Sequence, residues 1–242
     1  MQAMIFAAGL GTRLKPLTDT MPKALVRVGD KTLLEHTVRR LADAGADRMV
    51  VNVHHFAQQI RDFLYERQNL GYDIRISDES EALLDTGGGL KKAQGMFRHD
   101  EPVLIHNVDI LSNVDLKDFY NANRDEDAAL LVSERKTRRY LLFDCEMKLV
   151  GWTDTETGLV RSPYPDLKVD KCRKLAFAGI HLFSPRLFPL FDKFPDKFGI
   201  IDFYLSVCGT ISIRGVECSG LRLMDVGKAA TIGLAEDFVK TL

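Results

Sequence analysis

The sequence predicts an α/β fold, a Rossmann-like, mixed, mostly parallel sheet with helices on both faces, in a single domain spanning residues 1–242. Three observations predict it. Short continuous apolar runs recur at Ala3–Ala8, Met49–Val53 and Val103–Val108, as strands covered on both faces require. Helical, amphipathic windows lie between them. The connections are short, so the first ~110 residues alternate β-α-β-α-β-α-β, an order that argues for parallel pairing.

The elements follow in order. Ala3–Ala8 is a buried strand, followed by a loop rich in Gly, Thr and Pro from Gly9 to Pro22. Thr32 and Glu35 have capping-box spacing. Leu33, Leu34, Thr37, Val38 and Leu41 then line one helix face, and Gly45 is placed to end that helix. Met49–Val53 is strand-like, and Ile60, Phe63 and Leu64 mark a second helix. Asp73–Ser77 alternates as an edge strand does. Leu90–Phe97 is helical, and Val103–Val108 is again a buried strand. Ala128–Val132 reads as a strand, Tyr140–Phe143 and Lys148–Trp152 as a hairpin, and Leu175–Phe183 as a strand. Pro185–Phe191 and Ile201–Val207 are helical, Leu221–Asp225 is a last strand, and Lys228–Lys240 is a last helix. Lys136–Arg139 and Ser162–Arg173 are surface loops. Neither an internal repeat nor a C-terminal hexapeptide β-helix occurs, which favours a monomer or dimer.

Composition excludes several classes. The 33 Lys and Arg residues face 34 Asp and Glu residues, for a net charge of −1. Such a balance offers nothing to neutralise nucleic-acid phosphates. No apolar run approaches the ~18 residues of a membrane span. The apolar start follows no basic region, so the cytoplasm is the default location. Cys145, Cys172, Cys208 and Cys218 lack C-x-x-C spacing and read as reduced thiols.

The chemistry concentrates at strand ends, where open α/β sheets bind ligands. Residues 7–25 read A-A-G-L-G-T-R-L-K-P-L-T-D-T-M-P-K-A-L. Gly9 and Gly11 let the chain turn tightly and aim backbone N–H groups at an anion. Arg13 can grip phosphate oxygens bidentately, and Lys23 adds a point charge. The glycines alone would suit a surface turn; the two cations after a buried strand argue for a phosphate cradle. Neither a P-loop nor a dinucleotide fingerprint is present, since the latter needs glycine where Leu14 stands. Asp109 closes Val103–Val108 in I-H-N-V-D and points a carboxylate at the crevice, unless it merely caps a turn. Asp225, in L-M-D-V-G-K, is a second such carboxylate or an N-cap of the last helix. Residues 84–89, L-D-T-G-G-G, read as a glycine loop before a helix, either a flexible turn or a close approach to a flat base or sugar. Phe188, Phe191, Phe194 and Phe198 are core or a lid, and His54 and His55 are polar loop residues.

The stretch from Ala8 to Lys23 resembles the signature of sugar-1-phosphate nucleotidyltransferases, A-x-G-x-G-[T/S]-R-L-x-P-L-T followed by P-K. Ala8, Gly9, Gly11, Thr12, Arg13, Leu14, Pro16, Leu17, Thr18, Pro22 and Lys23 match in order, and the resemblance runs on through Asp225. It implies a GT-A-like fold, with residues 1–135 as a nucleotide-binding half and 136–242 as a sugar-binding half. It also implies that Ala8, Gly9, Gly11 and Thr12 wrap a nucleoside triphosphate. Arg13 and Lys23 become the catalytic cations, on the triphosphate tail and at the reacting phosphates. Asp109 and Asp225 become ligands of Mg²⁺. Val108 and Leu223 stand where the family usually has glycine and tryptophan. By the same resemblance Glu79, Gly87 and Gly88 read the nucleobase, while Asn107, Tyr140 and Gly179 border the sugar. The D-T-G-G-G form is similar to the N-acetylmuramate-1-phosphate uridylyltransferase branch, so UTP is favoured, although the loop leaves UTP and GTP open. Mannose-1-phosphate guanylyltransferase is the alternative enzyme, and a non-catalytic nucleotide-sugar binding protein is the alternative of another class. Arg139-Tyr140-Leu141-Leu142 replaces the family's R-Y-G-V, which removes a close backbone approach to the sugar. Lys136, Arg138 and Arg139 form a charged turn, solvated or serving an anionic sugar.

Overall fold

A computed structural model describes all residues from Met1 to Leu242. The first strand, β1 (Gln2–Phe6), is flanked in parallel by β4 (Arg48–Val53) and β6 (Val103–Asn107). Its continuous apolar run follows from that position. Ala3 and Ile5 pack with α1 (Leu33–Asp43), α2 (Ala57–Glu66), α4 (Leu116–Asn123) and α6 (Ile232–Val239). Met4 and Phe6 face the opposite core with α3 (Asp85–Ala93) and α5 (Ile200–Val207). Period-2 alternation divides the apolar side chains between two cores. The expected α/β class and helices on both faces are therefore present.

The main sheet runs β11-β10-β9-β12-β6-β1-β4-β5. The edge strand β5 (Ile74–Asp78) pairs in parallel with β4 alone. The long strand β12 (Arg173–Phe183) joins β6, β8 (Ala128–Ser133) and β9 (Arg139–Phe143), all antiparallel. Beyond β9 lie β10 (Leu149–Asp154) and β11 (Val160–Arg161), which confirm the hairpin and extend it. β13 (Ile213–Glu217) pairs in parallel with β8. Two small ribbons sit outside this path: β2 (Arg27–Val28) with β3 (Lys31–Thr32), and β7 (Ile110–Ser112) with β14 (Leu223–Asp225).

Local expectations hold where the signal is local. Thr32 and Glu35 form a complete capping box, each side chain accepting from the other's backbone N–H at 3.1 and 2.9 Å. Gly45, with φ +99°, lies two residues past α1. Pro185–Lys193 is 3-10 rather than α, with Pro189 inside it and unable to donate the helical bond. The last helix is split into a 3-10 turn, Ala229–Thr231, and α6. Phe188, Phe191 and Phe198 are buried in the second core with Phe183 and Phe203, so that cluster is core. No helix is long and apolar enough to cross a membrane.

Helix α4, strand β13 and the short ribbon strands β2, β3 and β7 go unannounced in the sequence reading, and the start of α3 is misplaced by it. The helix expected from Leu90 begins at Asp85, and L-D-T-G-G-G forms its entry rather than a loop. Glycine is a poor helix former, but contacts distant in sequence demand it here. Gly87 and Gly88 N–H donate to the Phe198 carbonyl at 2.9 and 3.1 Å. A Cβ at Gly88 would lie 2.0 Å from the Asp196 carbonyl oxygen, and one at Gly89 would lie 2.6 Å from Glu79 Oε1. Thr86 Oγ1 accepts from Ile200 N–H at 2.9 Å. The first turn of α3 thus clasps residues 196–200, and side chains are excluded from the contact.

Gly88→Ala is expected to lower stability by about 1–3 kcal/mol, the range for overpacking a filled site. Gly95→Ala, where an added Cβ meets nothing within 4 Å, is expected to be neutral or slightly stabilising. Urea melts of both variants check the contrast.

Candidate active site

A cavity of about 410 Å³ opens at the carboxyl ends of β1, β4 and β6. Its wall is made by Phe6–Gly9, Lys23, Asn52, Leu83, Asp85, Thr86, Asn107–Asp109 and Gly199. The loop after β1 is shaped by anchors inside it. Leu14 and Thr18 are buried, and Thr18 Oγ1 donates to the Gly11 carbonyl at 2.8 Å. Gly11 has φ +64°, and a Cβ there would lie 2.8 Å from Thr18 Cγ2, so both conformation and space require glycine. Gly9 is exposed and unobstructed, leaving the backbone free to approach a ligand.

The charged groups converge at one side of this cavity. β7 and β14 pair Ile110 with Asp225, and Val226 N–H donates to the Asp109 carbonyl at 2.9 Å. That ribbon sets the two carboxylates side by side. Lys23 Nζ donates to Asp109 Oδ2, and an Arg13 guanidinium nitrogen stands 3.9 Å from Asp225 Oδ2. Gly227 keeps this corner open, since a Cβ there would fall 2.6 Å from Asp225 Oδ1 and 2.8 Å from Arg13. Burial raises the Asp225 carboxyl above its ordinary range, and the neighbouring Asp109 raises it further. Lys23, Arg13 and Arg135 oppose that shift. Asp225 Oδ1 is buried without a hydrogen-bond partner.

The structure therefore brings together Ala8, Gly9, Lys23, Asn107 and Asp109 on the cavity wall, with Arg13 and Asp225 at its edge. Gly11 and Thr12 stay in the loop without lining the cavity. Gly179 (φ +77°) lies directly behind Asn107, where a Cβ would be 2.8 Å from Asn107 Nδ2. Four residues lie elsewhere. Glu79 is fully buried; its carboxylate accepts from Asn52 Nδ2 at 2.7 Å and from Leu84 N–H at 3.2 Å. Gly87 and Gly88 face Phe198 and Asp196, not the cavity. Tyr140 points to the sheet face opposite Arg139 and Leu141, and its hydroxyl accepts from Thr137 N–H at 3.0 Å. The strand's alternation turns it away.

Asn52 belongs to none of the sequence motifs. It is buried, accepts from Ala7 N–H at 2.8 Å and donates to Glu79. It ties the loop after β1 to the loop before α3. An Asn inside the apolar run R-M-V-V-N-V is the available signal, because a buried amide needs partners. Leu83 and Gly199 have no comparable local mark, and Asp85 and Thr86 belong to L-D-T-G-G-G, where the glycines rather than these side chains are the signal.

Comparison with known proteins gives a consistent result. The profile of the family described as "Nucleotidyl transferase" matches residues 2–140. An N-acetylmuramate alpha-1-phosphate uridylyltransferase of Caulobacter vibrioides is 36% identical over 227 residues, 90% of this chain and 89% of that protein. A mannose-1-phosphate guanyltransferase of Neurospora crassa is 37% identical over 58% of this chain and 40% of its own. The crystal structure of HddC from Yersinia pseudotuberculosis superposes with a TM-score of 0.78 at 21% identity, covering 98% of this chain and 99% of that one.

The raised Asp225 carboxyl carries a stability consequence. A carboxyl whose native pKa exceeds its unfolded value favours folding only while protonated, and that benefit is lost as pH rises through the native value. Asp225→Asn is therefore expected to raise the Tm of the ligand-free protein at pH 7. Near pH 3, where both forms are neutral, the gain disappears. Thermal melts at the two pH values check this; a lowered Tm at pH 7 would contradict it.

Proposed function

The chain belongs to the nucleotidyl transferase family, and on that premise we propose that it transfers the uridylyl group of UTP to N-acetylmuramate 1-phosphate, forming a nucleotide sugar and pyrophosphate. The observation that carries the reading is the convergence of Arg13, Lys23, Asp109 and Asp225 at one open strand-end cavity. Binding without turnover would not need two carboxylates held against their mutual repulsion. The similarity to the uridylyltransferase spans most of both chains, whereas that to the guanyltransferase spans little more than half of this one. Mannose 1-phosphate with GTP is therefore the weaker alternative.

The donor set fits Mg²⁺. Asp225 Oδ1 is buried and unpartnered, and Lys23 alone hydrogen-bonds the Asp109 carboxylate. Asp109 and Asp225 would hold the ion, which would supply charge neutralisation on the reacting phosphates.

The chain's own residues do the positioning. The loop Ala8–Thr12 wraps the triphosphate, with Gly9 allowing close backbone approach. Arg13, exposed at the cavity edge, binds the departing pyrophosphate. Lys23, beside Asp109, holds the phosphate oxygens at the reacting end. Asn107 orients the sugar phosphate from the end of β6, backed by Gly179. An ionised phosphate oxygen of the sugar attacks the α-phosphorus in line. The bond from that phosphorus to the bridging oxygen breaks, and its electron pair leaves with pyrophosphate. No proton has to be removed from the nucleophile, so electrostatic stabilisation and orientation carry the catalysis.

Arg13→Ala and Lys23→Ala are each expected to lower kcat about 10²–10³-fold, the typical loss of one preorganised charge partner. A raised KM with unchanged kcat would assign them to ground-state binding instead. Asp109→Ala and Asp225→Ala are expected to abolish pyrophosphate release. EDTA should do the same to the wild type, with recovery on Mg²⁺ addition; activity persisting in chelator would remove the metal from the reading. With UTP, kcat/KM for N-acetylmuramate 1-phosphate should exceed that for N-acetylglucosamine 1-phosphate by at least about tenfold. A preference for mannose 1-phosphate with GTP would select the alternative.

A further inference from the structure

A second cavity, of about 380 Å³, lies beside the first in the C-terminal half. No residue lines both, but neighbouring residues of the same segments do. Phe177 lines the second cavity, two residues before the Gly179 that backs Asn107. Asp202 lines it from α5, three residues after the Gly199 that lines the first. Its most distinctive content is arginine: Arg135, Arg139 and Arg161 all face it, against Asp202 as the only acid.

The sheet builds this cluster. Trp152 pairs with Leu141 on β9 and with Arg161 on β11. Arg139 stands two residues before Leu141, so the pleat sets Arg139, Leu141, Trp152 and Arg161 on one face. Arg161 is committed: it donates to Asp202 Oδ1 at 2.7 Å and lies 5.7 Å over the Trp152 ring. Arg135 donates only to the Phe177 carbonyl, at 3.0 Å. The Arg139 guanidinium makes no hydrogen bond. Its nearest acid, Asp154, is 4.0 Å away and already accepts from Arg138 Nε with both oxygens, at 2.8 and 2.7 Å. Arg138 is further held by Glu156 at 2.8 Å. Of the charged turn singled out in the sequence, Arg139 therefore reaches the cavity, joined by Arg135, while Arg138 is spent on the protein itself.

Arg135 has no carboxylate partner and Arg139 has only the 4.0 Å contact to an Asp154 already bound by Arg138, and both are exposed, so their charge is available to an anionic ligand entering the cavity. A guanidinium fork matches a carboxylate's two oxygens in plane. We propose that this cavity is a subsite for a carboxylate carried by the sugar phosphate, with Arg135 and Arg139 as the side chains that recognise it. The ligand class is a hexose 1-phosphate bearing an acidic substituent, such as the lactyl ether of N-acetylmuramate. The inference rests on the uridylyl-transfer reading and assigns its sugar selectivity to particular residues. The competing use of the same charges is to hold the 1-phosphate, which every sugar substrate shares.

The test compares kcat/KM for N-acetylmuramate 1-phosphate and N-acetylglucosamine 1-phosphate, with UTP and saturating Mg²⁺, in the wild type, Arg135→Ala, Arg139→Ala, Arg139→Gln and Arg138→Ala. The selectivity ratio should fall roughly ten- to hundredfold in the Arg135 and Arg139 variants, the usual weight of one charge-assisted contact. The loss should appear mainly in KM for N-acetylmuramate 1-phosphate. Arg138→Ala, which frees Asp154 to pair with Arg139 4.0 Å away, should lower the ratio as well. Arg139→Gln keeps a polar, hydrogen-bonding side chain without the charge and separates recognition from misfolding, with Tm measured alongside. Equal losses on both sugars would give the arginines to the phosphate and overturn the proposal; so would an unchanged ratio. A wild type that uses both sugars equally would instead overturn the sugar reading, and one that releases pyrophosphate with neither would overturn uridylyl transfer.

Discussion

Holding Asp109 and Asp225 side by side is the constraint around which the site is built. Two carboxylates at close range repel, and burial adds to the cost of charging them. The Asp225 carboxyl registers both effects. The fold holds them there because they sit on a ribbon: β7 continues from β6, and β14 returns from the far end of the chain to pair with it. Lys23 and Arg13, from the loop after β1, partly compensate the negative charge. Gly227 leaves room for Arg13 to do so. The arrangement is poised for a ligand that brings positive charge to the carboxylates and negative charge to the cations, as a metal-bound polyphosphate does. Active sites commonly carry such local cost, offset by the rest of the fold.

The cavity wall opposite these charges is held by polar contacts that exclude side chains rather than display them. Asn52 bridges Ala7 and Glu79, Gly89 leaves the space that Glu79 and Asn52 fill, and Gly87 and Gly88 bring the α3 entrance against residues 196–198. One short helix turn therefore fixes three segments: the end of β4, the approach to α3, and the connection that leads into α5. That connection also separates the two cavities. A change at α3 is expected to reach both, because packed interiors transmit displacement rather than absorb it.

The half of the chain that closes the sheet is organised by a different rule. Where the N-terminal strands run parallel and bury both faces, β9, β10 and β11 form an antiparallel meander carrying charged residues on one face. The alternation that puts Arg139, Leu141, Trp152 and Arg161 at the second cavity turns Tyr140 and Thr153, which pair with each other, to the other side. Sheet register therefore decides which residues of a short motif are available to a ligand. Nearness to a family motif in the sequence does not.

Much of this is legible in the amino-acid sequence. The apolar runs, the capping box at Thr32 and Glu35, and the glycine that ends α1 are local signals, and local physics produces the elements they announce. The loop after β1 and the carboxylates at strand ends are legible too, because open α/β sheets gather ligands where strands terminate. What sequence alone does not determine is contact between distant segments. Glycines in D-T-G-G-G read as freedom of the backbone, and tertiary packing makes them a helix pressed against Phe198 and Asp196. Glu79 reads as a loop carboxylate facing a base, and its bond from Asn52 holds it in the interior. Among the arginines, only the three-dimensional neighbours distinguish one pinned by Asp154 and Glu156 from one facing a cavity. The chain's periodicity and turn chemistry determined its elements because those depend on near neighbours. The roles of Glu79, Gly88 and Arg139 were decided by the tertiary structure, because burial, steric exclusion and charge compensation depend on residues that the sequence places far away.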